Sequence, residues 1–83
     1  MYRCPVCGYN GLEEPPFDVA GSPSFEICPS CGTEFGYDDA ETDHATLRHN
    51  WIQSGAKWWS SSTSPPPDWN PYEQLREAEL PSN

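Results

Sequence analysis

Apolar positions are sparse through the first 38 residues and sit between prolines, glycines and cysteines. Tyr2-Arg3 leads into one cysteine pair and Ser24-Phe25-Glu26-Ile27 into another, while Thr33-Glu34-Phe35-Gly36-Tyr37 leaves the second with alternating character. Alternation at period two predicts strands, so a small antiparallel sheet is expected over residues 1–38. Asn10-Gly11, Pro15-Pro16 and Gly21-Ser22-Pro23 mark the connection between the pairs as loop, expected to lie across the sheet through Leu12, Phe17 and Val19. The spacing then turns helical, with Ala40, Ala45, Leu47, Trp51 and Ile52 on the apolar side and Leu47 one turn before Trp51. Asp38 or Asp39 is the expected cap, Glu41 stands three after Asp38 as in a capping box, Asp43 suits the positive end of the helix dipole, and Gly55 is placed to stop it. Residues 39–60 therefore read as helix plus the Lys57-Trp58-Trp59-Ser60 segment. Residues 61–70 form a Ser/Pro-rich loop. Residues 71–80 form a short terminal helix with Asn70 as cap, Pro71 in its first turn and Leu75 facing inward. Residues 1–80 are expected to make one domain.

The chemistry lies in two copies of one phrase. Cys4-Pro5-Val6-Cys7-Gly8 and Cys28-Pro29-Ser30-Cys31-Gly32 hold every cysteine of the chain, with 20 residues between Cys7 and Cys28. Two residues between paired cysteines let both sulfurs of a tight turn face a common centre, and two such turns supply the four ligands of a tetrahedral ion. Pro suits the second position of each turn, and the trailing Gly tolerates a left-handed backbone. Cys4, Cys7, Cys28 and Cys31 are thus the metal-ligand set, with one zinc ion the expected cofactor and iron the alternative, since four thiolates accept both. Two disulfides or a redox CxxC are the competing readings. Nothing in Met1-Tyr2-Arg3 resembles a secretory signal, which points to a cytoplasmic setting that keeps thiols reduced. A redox CxxC would want a strand-to-helix junction, where this chain places Pro and Gly.

Composition narrows the partners. An 83-residue chain buries a small core, and a metal is a suitable staple for it. Thirteen acidic residues against four Lys and Arg give a net charge of −9. Arg3, Arg48, Lys57 and Arg76 are scattered rather than clustered, which argues against nucleic acid and against anionic membrane surfaces. No apolar run approaches the length of a membrane span. The acidity suits a basic protein partner or, more simply, a soluble surface. Of the four tryptophans, Trp51 reads as core, while Trp58 and Trp59 either pack inward or stay exposed as an anchor for a protein partner. His44 and His49, five apart, diverge by about 140° on a helix and cannot clamp one ion together.

The stretches YRCPVCGYNG (2–11), PSFEICPSCGTEFGYD (23–38), LRHNWIQSG (47–55), KWWS (57–60) and PPPDWNPYEQL (65–75) resemble the small bacterial family called cysteine-rich CPCC. The resemblance covers nearly the whole chain. It implies metal binding through Cys4, Cys7, Cys28 and Cys31 without an assigned activity. One departure stands out: Ser30 occupies the place of the third cysteine in the family's naming motif. The two knuckles are also similar to those of rubredoxins, which hold one iron and carry electrons. The expected fold is a small metal-stabilised α+β domain, a zinc ribbon with a rubredoxin-like two-knuckle sheet followed by one or two helices. The expected function is non-enzymatic: a closed four-cysteine site leaves no open position for catalysis, and the protein acts through contact with another protein, with an iron electron carrier as the alternative.

Overall fold

Regular structure is confined to the C-terminal half of the chain. A computed structural model describes residues 1–82, with two helices, α1 (His44–Gln53) and α2 (Pro71–Glu77). α1 begins later than the acidic cluster suggests, because Asp38 and Asp39 are already committed. Asp38 Oδ2 accepts from the Glu34 amide at 2.8 Å and Asp39 Oδ1 from the Gly36 amide at 2.7 Å, closing the turn that follows the second cysteine pair. Asp43 is the cap instead, its Oδ1 accepting from the Thr46 amide at 2.7 Å. Hydrogen bonds from the Thr46 side chain and amide hold the Asp43 carboxyl below its ordinary range.

Both helices end in the same way. At the end of α1, Ala56 N–H bonds Trp51 C=O at 2.9 Å and Gly55 N–H bonds Ile52 C=O at 3.0 Å, the paired reversals of a Schellman motif. At the end of α2, Leu80 N–H bonds Leu75 C=O at 2.9 Å and Glu79 N–H bonds Arg76 C=O at 3.0 Å. Glu79 takes the left-handed position there, at φ 57°, where glycine is the usual occupant. Leu80, just beyond it, packs on the core. Asn70 caps α2 by accepting from Tyr72 and Glu73 amides.

The expected two-knuckle sheet is not formed, and the zinc-ribbon reading is corrected on that point. Among the described residues extended pairing amounts to three isolated antiparallel bridges: Tyr2 with Leu12, Phe17 with Pro23, and Ile27 with Glu34. Each meets backbone that cannot propagate a ladder. Past Tyr2 the chain enters the turn closed by Gly8 N–H on Cys4 C=O. Pro15, Pro16 and Pro23 have no N–H to donate. Phe25 sits at φ 60°, interrupting the segment expected to pair as the second strand.

The core is built around the cysteines. Cys4, Cys7 and Cys28 are fully buried with Val6, Leu12, Phe35 and Leu75, and Trp51 and Ala56 close the cluster from the α1 side. Of the loop residues expected to cross a sheet, Leu12 is buried, whereas Phe17 and Val19 are exposed. Asp18 explains this: its Oδ1 accepts from Ala20 and Ser22 amides at 2.9 Å each, closing a tip that turns Val19 outward. The radius of gyration of 11.9 Å matches the roughly 12 Å of a compact chain of this length, so the Ser/Pro-rich segment wraps rather than extends.

Candidate metal centre

Each cysteine pair is a knuckle built by the same local bonds. Gly8 N–H returns to Cys4 C=O at 2.9 Å and Gly32 N–H to Cys28 C=O at 2.8 Å. The base of each knuckle is then tied by Cys4 N–H to Tyr9 C=O and by Cys28 N–H to Thr33 C=O, at 2.7 and 2.9 Å. Gly8 and Gly32 hold φ values of 87° and 82°, which residues with a Cβ rarely adopt. Both also seat a tertiary contact. A Cβ on Gly8 would lie 2.8 Å from Ala78 Cβ and 2.9 Å from the Gln74 carbonyl oxygen, so α2 rests directly on the first knuckle. A Cβ on Gly32 would lie 2.5 Å from the Trp59 ring.

The fold brings all four sulfurs together. Cys4 Sγ is 3.8 Å from Cys31 Sγ, Cys7 Sγ is 3.7 Å from Cys28 Sγ, and all four lie within 4.8 Å of one another. A tetrahedral metal with bonds of about 2.3 Å to sulfur has sulfur–sulfur edges of about 3.8 Å. Both of these contacts join opposite knuckles, so an ion at the centre would be shared equally between them. Four cysteines are thus positioned to hold one metal ion. Without a cation their electrostatics conflict: hydrogen bonds donated to Cys31 by Cys28, Cys4 and Cys7 depress the Cys31 thiol far below its ordinary range. Cys28 is pushed far above it by its hydrogen bonds with Cys31, Cys4 and Cys7, reinforced by burial. A bound metal cation would resolve the conflict by displacing the protons.

Three residues that motif reasoning passes over hold the knuckles in place. Gln74 of α2 donates from Nε2 to Cys7 C=O at 3.1 Å and to Ser30 Oγ at 3.0 Å, bridging the two knuckles. Its Oε1 accepts from Trp69 Nε1 at 2.8 Å, which orients the amide. Ser30, the departure from the CPCC pattern, is fully buried and receives this bond. Arg48 of α1, 7% exposed, donates from Nε to Val6 C=O at 3.0 Å and from Nη2 to Pro5 C=O at 3.4 Å, placing a positive charge behind the first knuckle. For Arg48 the available signal was helical phase, three residues before the core residue Trp51; Gln74, adjacent to Leu75, carries no such signal.

The tryptophan pair splits. Trp58 is half-buried, with T-shaped contacts to Tyr9 at 5.5 Å and Trp69 at 5.3 Å and its Nε1 donating to Thr63 C=O. Trp59 lies over Gly32 with 57% of its surface exposed, and its amide donates to Ser30 C=O at 3.1 Å. Trp51 is buried, its Nε1 bonding Lys57 C=O at 2.9 Å. His49 is exposed, whereas His44 is half-buried with Nε2 2.8 Å from Asp39 Oδ2. No helix among the described residues is long and apolar enough to cross a membrane.

The chain is similar to two uncharacterized proteins of Bacillus subtilis (strain 168). It is 34% identical to YoaQ over 70 residues, which covers 65% of this chain and 59% of YoaQ. It is 42% identical to YozI over 77 residues, which covers 69% of this chain and 61% of YozI. The chain therefore spans about three fifths of the length of these relatives. No protein-family model matches the chain, and no solved structure matches it. What stands is a relationship to two Bacillus proteins and a cluster of four cysteines.

Proposed function

We propose that this protein is a non-enzymatic metal-binding protein of the CPCC kind, holding one zinc ion in a closed site of Cys4, Cys7, Cys28 and Cys31. The observation that carries the reading is the pair of cross-knuckle sulfur distances, 3.7 and 3.8 Å, which match the edge of a zinc–thiolate tetrahedron. Four protein ligands leave no position for a reacting water, so the metal's role is structural. The Arg48 guanidinium behind the first knuckle offsets part of the negative charge that four thiolates leave on a divalent ion. Function is exerted by contact. Trp59 offers a large exposed ring on the second knuckle, and the net charge of −9 favours a partner with a basic rim.

Elemental analysis of the purified protein tests this, together with a visible spectrum before and after dithionite. A colourless protein with one zinc per chain is expected. A red protein with one iron that bleaches reversibly would replace the proposal with electron transfer, and a chain that retains no metal would end both readings. The contact proposal has its own test. Trp59→Ser is expected to abolish capture of any partner that wild type captures, while leaving metal content unchanged. Unaltered capture would refute the role of this ring.

A further inference from the structure

The four ligands are not equally protected. Cys4, Cys7 and Cys28 are fully buried, whereas Cys31 keeps partial exposure. It lies on the wall of a groove of about 500 Å³, together with Gly32, Thr33, Leu47, Trp51 and Trp58. The groove is open to solvent and admits reagents the size of a peroxide or a small alkylating amide. A thiolate bound to zinc beside three others keeps nucleophilic character, because the ion's charge is shared among four anionic ligands. Thr33 moderates it. The Thr33 hydroxyl, on a residue 5% exposed, accepts from Cys31 Sγ at 3.3 Å, and with the thiol proton displaced by a metal it would donate to that sulfur instead. Cys4 is the neighbour positioned to react next, its Sγ 3.8 Å away on the opposite knuckle.

From this asymmetry we infer that Cys31 is the modification site of the centre, attacked first by peroxide-class oxidants and soft electrophiles, with release of the metal as the result. The inference rests on the metal-binding reading above. In the peroxide reaction the Cys31 thiolate attacks one oxygen of the hydroperoxide. An S–O bond forms, the O–O bond breaks, hydroxide leaves, and the sulfur is oxidised by two electrons to a sulfenic acid. The Cys4 thiolate then attacks the Cys31 sulfur, forming an S–S bond and expelling a second hydroxide. Two of the four ligands are lost in that disulfide, and the ion dissociates. With a haloacetamide the chemistry stops at the first displacement: a C–S bond forms, halide leaves, and one ligand is blocked.

The test uses full-length wild-type protein with its zinc stoichiometry measured beforehand. A chain that holds no zinc at that step refutes the metal reading and this inference together. On zinc-loaded protein, limiting iodoacetamide followed by peptide mass mapping is expected to place the label on Cys31 at least about fivefold over Cys4, Cys7 or Cys28. Hydrogen peroxide is expected to release zinc, read with a metallochromic dye, in step with a Cys4–Cys31 disulfide. Label spread evenly over the four cysteines, or falling first on a buried one, would overturn the inference while leaving the metal reading intact. Thr33→Val is expected to speed alkylation of Cys31 by about threefold or more at unchanged zinc content, and Thr33→Ser to restore the wild-type rate. An unchanged rate in Thr33→Val would count against the mechanism.

Discussion

Gln74→Ala removes the side chain that ties both knuckles to α2, and its cost follows from what it leaves behind. Three hydrogen bonds disappear: those to Cys7 C=O at 3.1 Å and to Ser30 Oγ at 3.0 Å, and the one accepted from Trp69 Nε1 at 2.8 Å. A hydrogen bond contributes about 1 kcal/mol net, and a partner left unsatisfied in a buried place costs about 1–3 kcal/mol. Ser30 is fully buried, so its hydroxyl bears the full penalty, while Trp69 is half-buried and recovers part of its bond from water. The sum is a loss of about 2–4 kcal/mol in the metal-loaded protein. Urea denaturation at a fixed excess of zinc, followed by tryptophan fluorescence, measures it, because bound metal contributes to stability by mass action and must be held constant. Ser30→Ala removes one bond together with its acceptor and is expected to cost only about 1 kcal/mol. In the double mutant the two losses should fall short of additivity by about 1 kcal/mol, since both report the same Gln74–Ser30 bond. A Gln74→Ala protein within about 0.5 kcal/mol of wild type, or strictly additive losses, would refute the view that this amide links the knuckles.

If zinc is held as proposed, chelation should unfold the cysteine-bearing half, since structural zinc in small domains contributes on the order of 10 kcal/mol and three of the four cysteines that would hold it are fully buried; a near-UV circular dichroism spectrum unchanged by chelator would contradict this. Metal affinity should rise with pH. The metal-free Cys28 thiol is pushed above its ordinary range by its hydrogen bonds with Cys31, Cys4 and Cys7, so it holds a proton at neutral pH that the ion must displace. Each such proton weakens binding about tenfold per unit fall in pH, and competition titrations between about pH 6 and about pH 8 check the sign. Arg48→Met is expected to destabilise by about 2–3 kcal/mol by stranding the Val6 and Pro5 carbonyls, with no rescue from Arg48→Lys, whose ammonium lacks the fork that reaches both; thermal melts at fixed zinc measure it. Glu79→Gly should stabilise by up to about 1 kcal/mol, because φ 57° at the end of α2 suits glycine and strains a residue with a Cβ. A fall in melting temperature would show that the Glu79 side chain contributes more than its backbone costs.

Local rules carried the sequence reading where their causes are local. The bonds that shape each knuckle lie within a few residues, so the CPxCG repeats marked all four cysteines that the fold gathers. Asn70 and Pro71 marked the start of α2, and Gly55 the end of α1, for the same reason. Alternation misled over residues 33–37. One bridge, a buried Phe35 and a tight turn produce the same pattern as a strand, and Phe25 in the left-handed region breaks the regular pairing a sheet would need even though its amide still donates to Phe35 C=O. The acidic run 38–43 concealed which carboxylate caps α1, because Asp38 and Asp39 serve amides that precede them while Asp43 serves one that follows.

The sequence by itself determined the four cysteines that the fold gathers, two helical stretches and a net charge of −9. Only tertiary structure decided that no sheet forms among the described residues, that Trp58 packs while Trp59 is exposed, and that Cys31 opens onto a groove. It also chose Gln74 and Arg48 as supports for the knuckles, through bonds spanning 67 and 42 residues of chain. Periodicity and spacing record which side of its own element a residue faces. Which distant carbonyl waits there is set by how the elements dock, and in this chain they dock around the sulfurs.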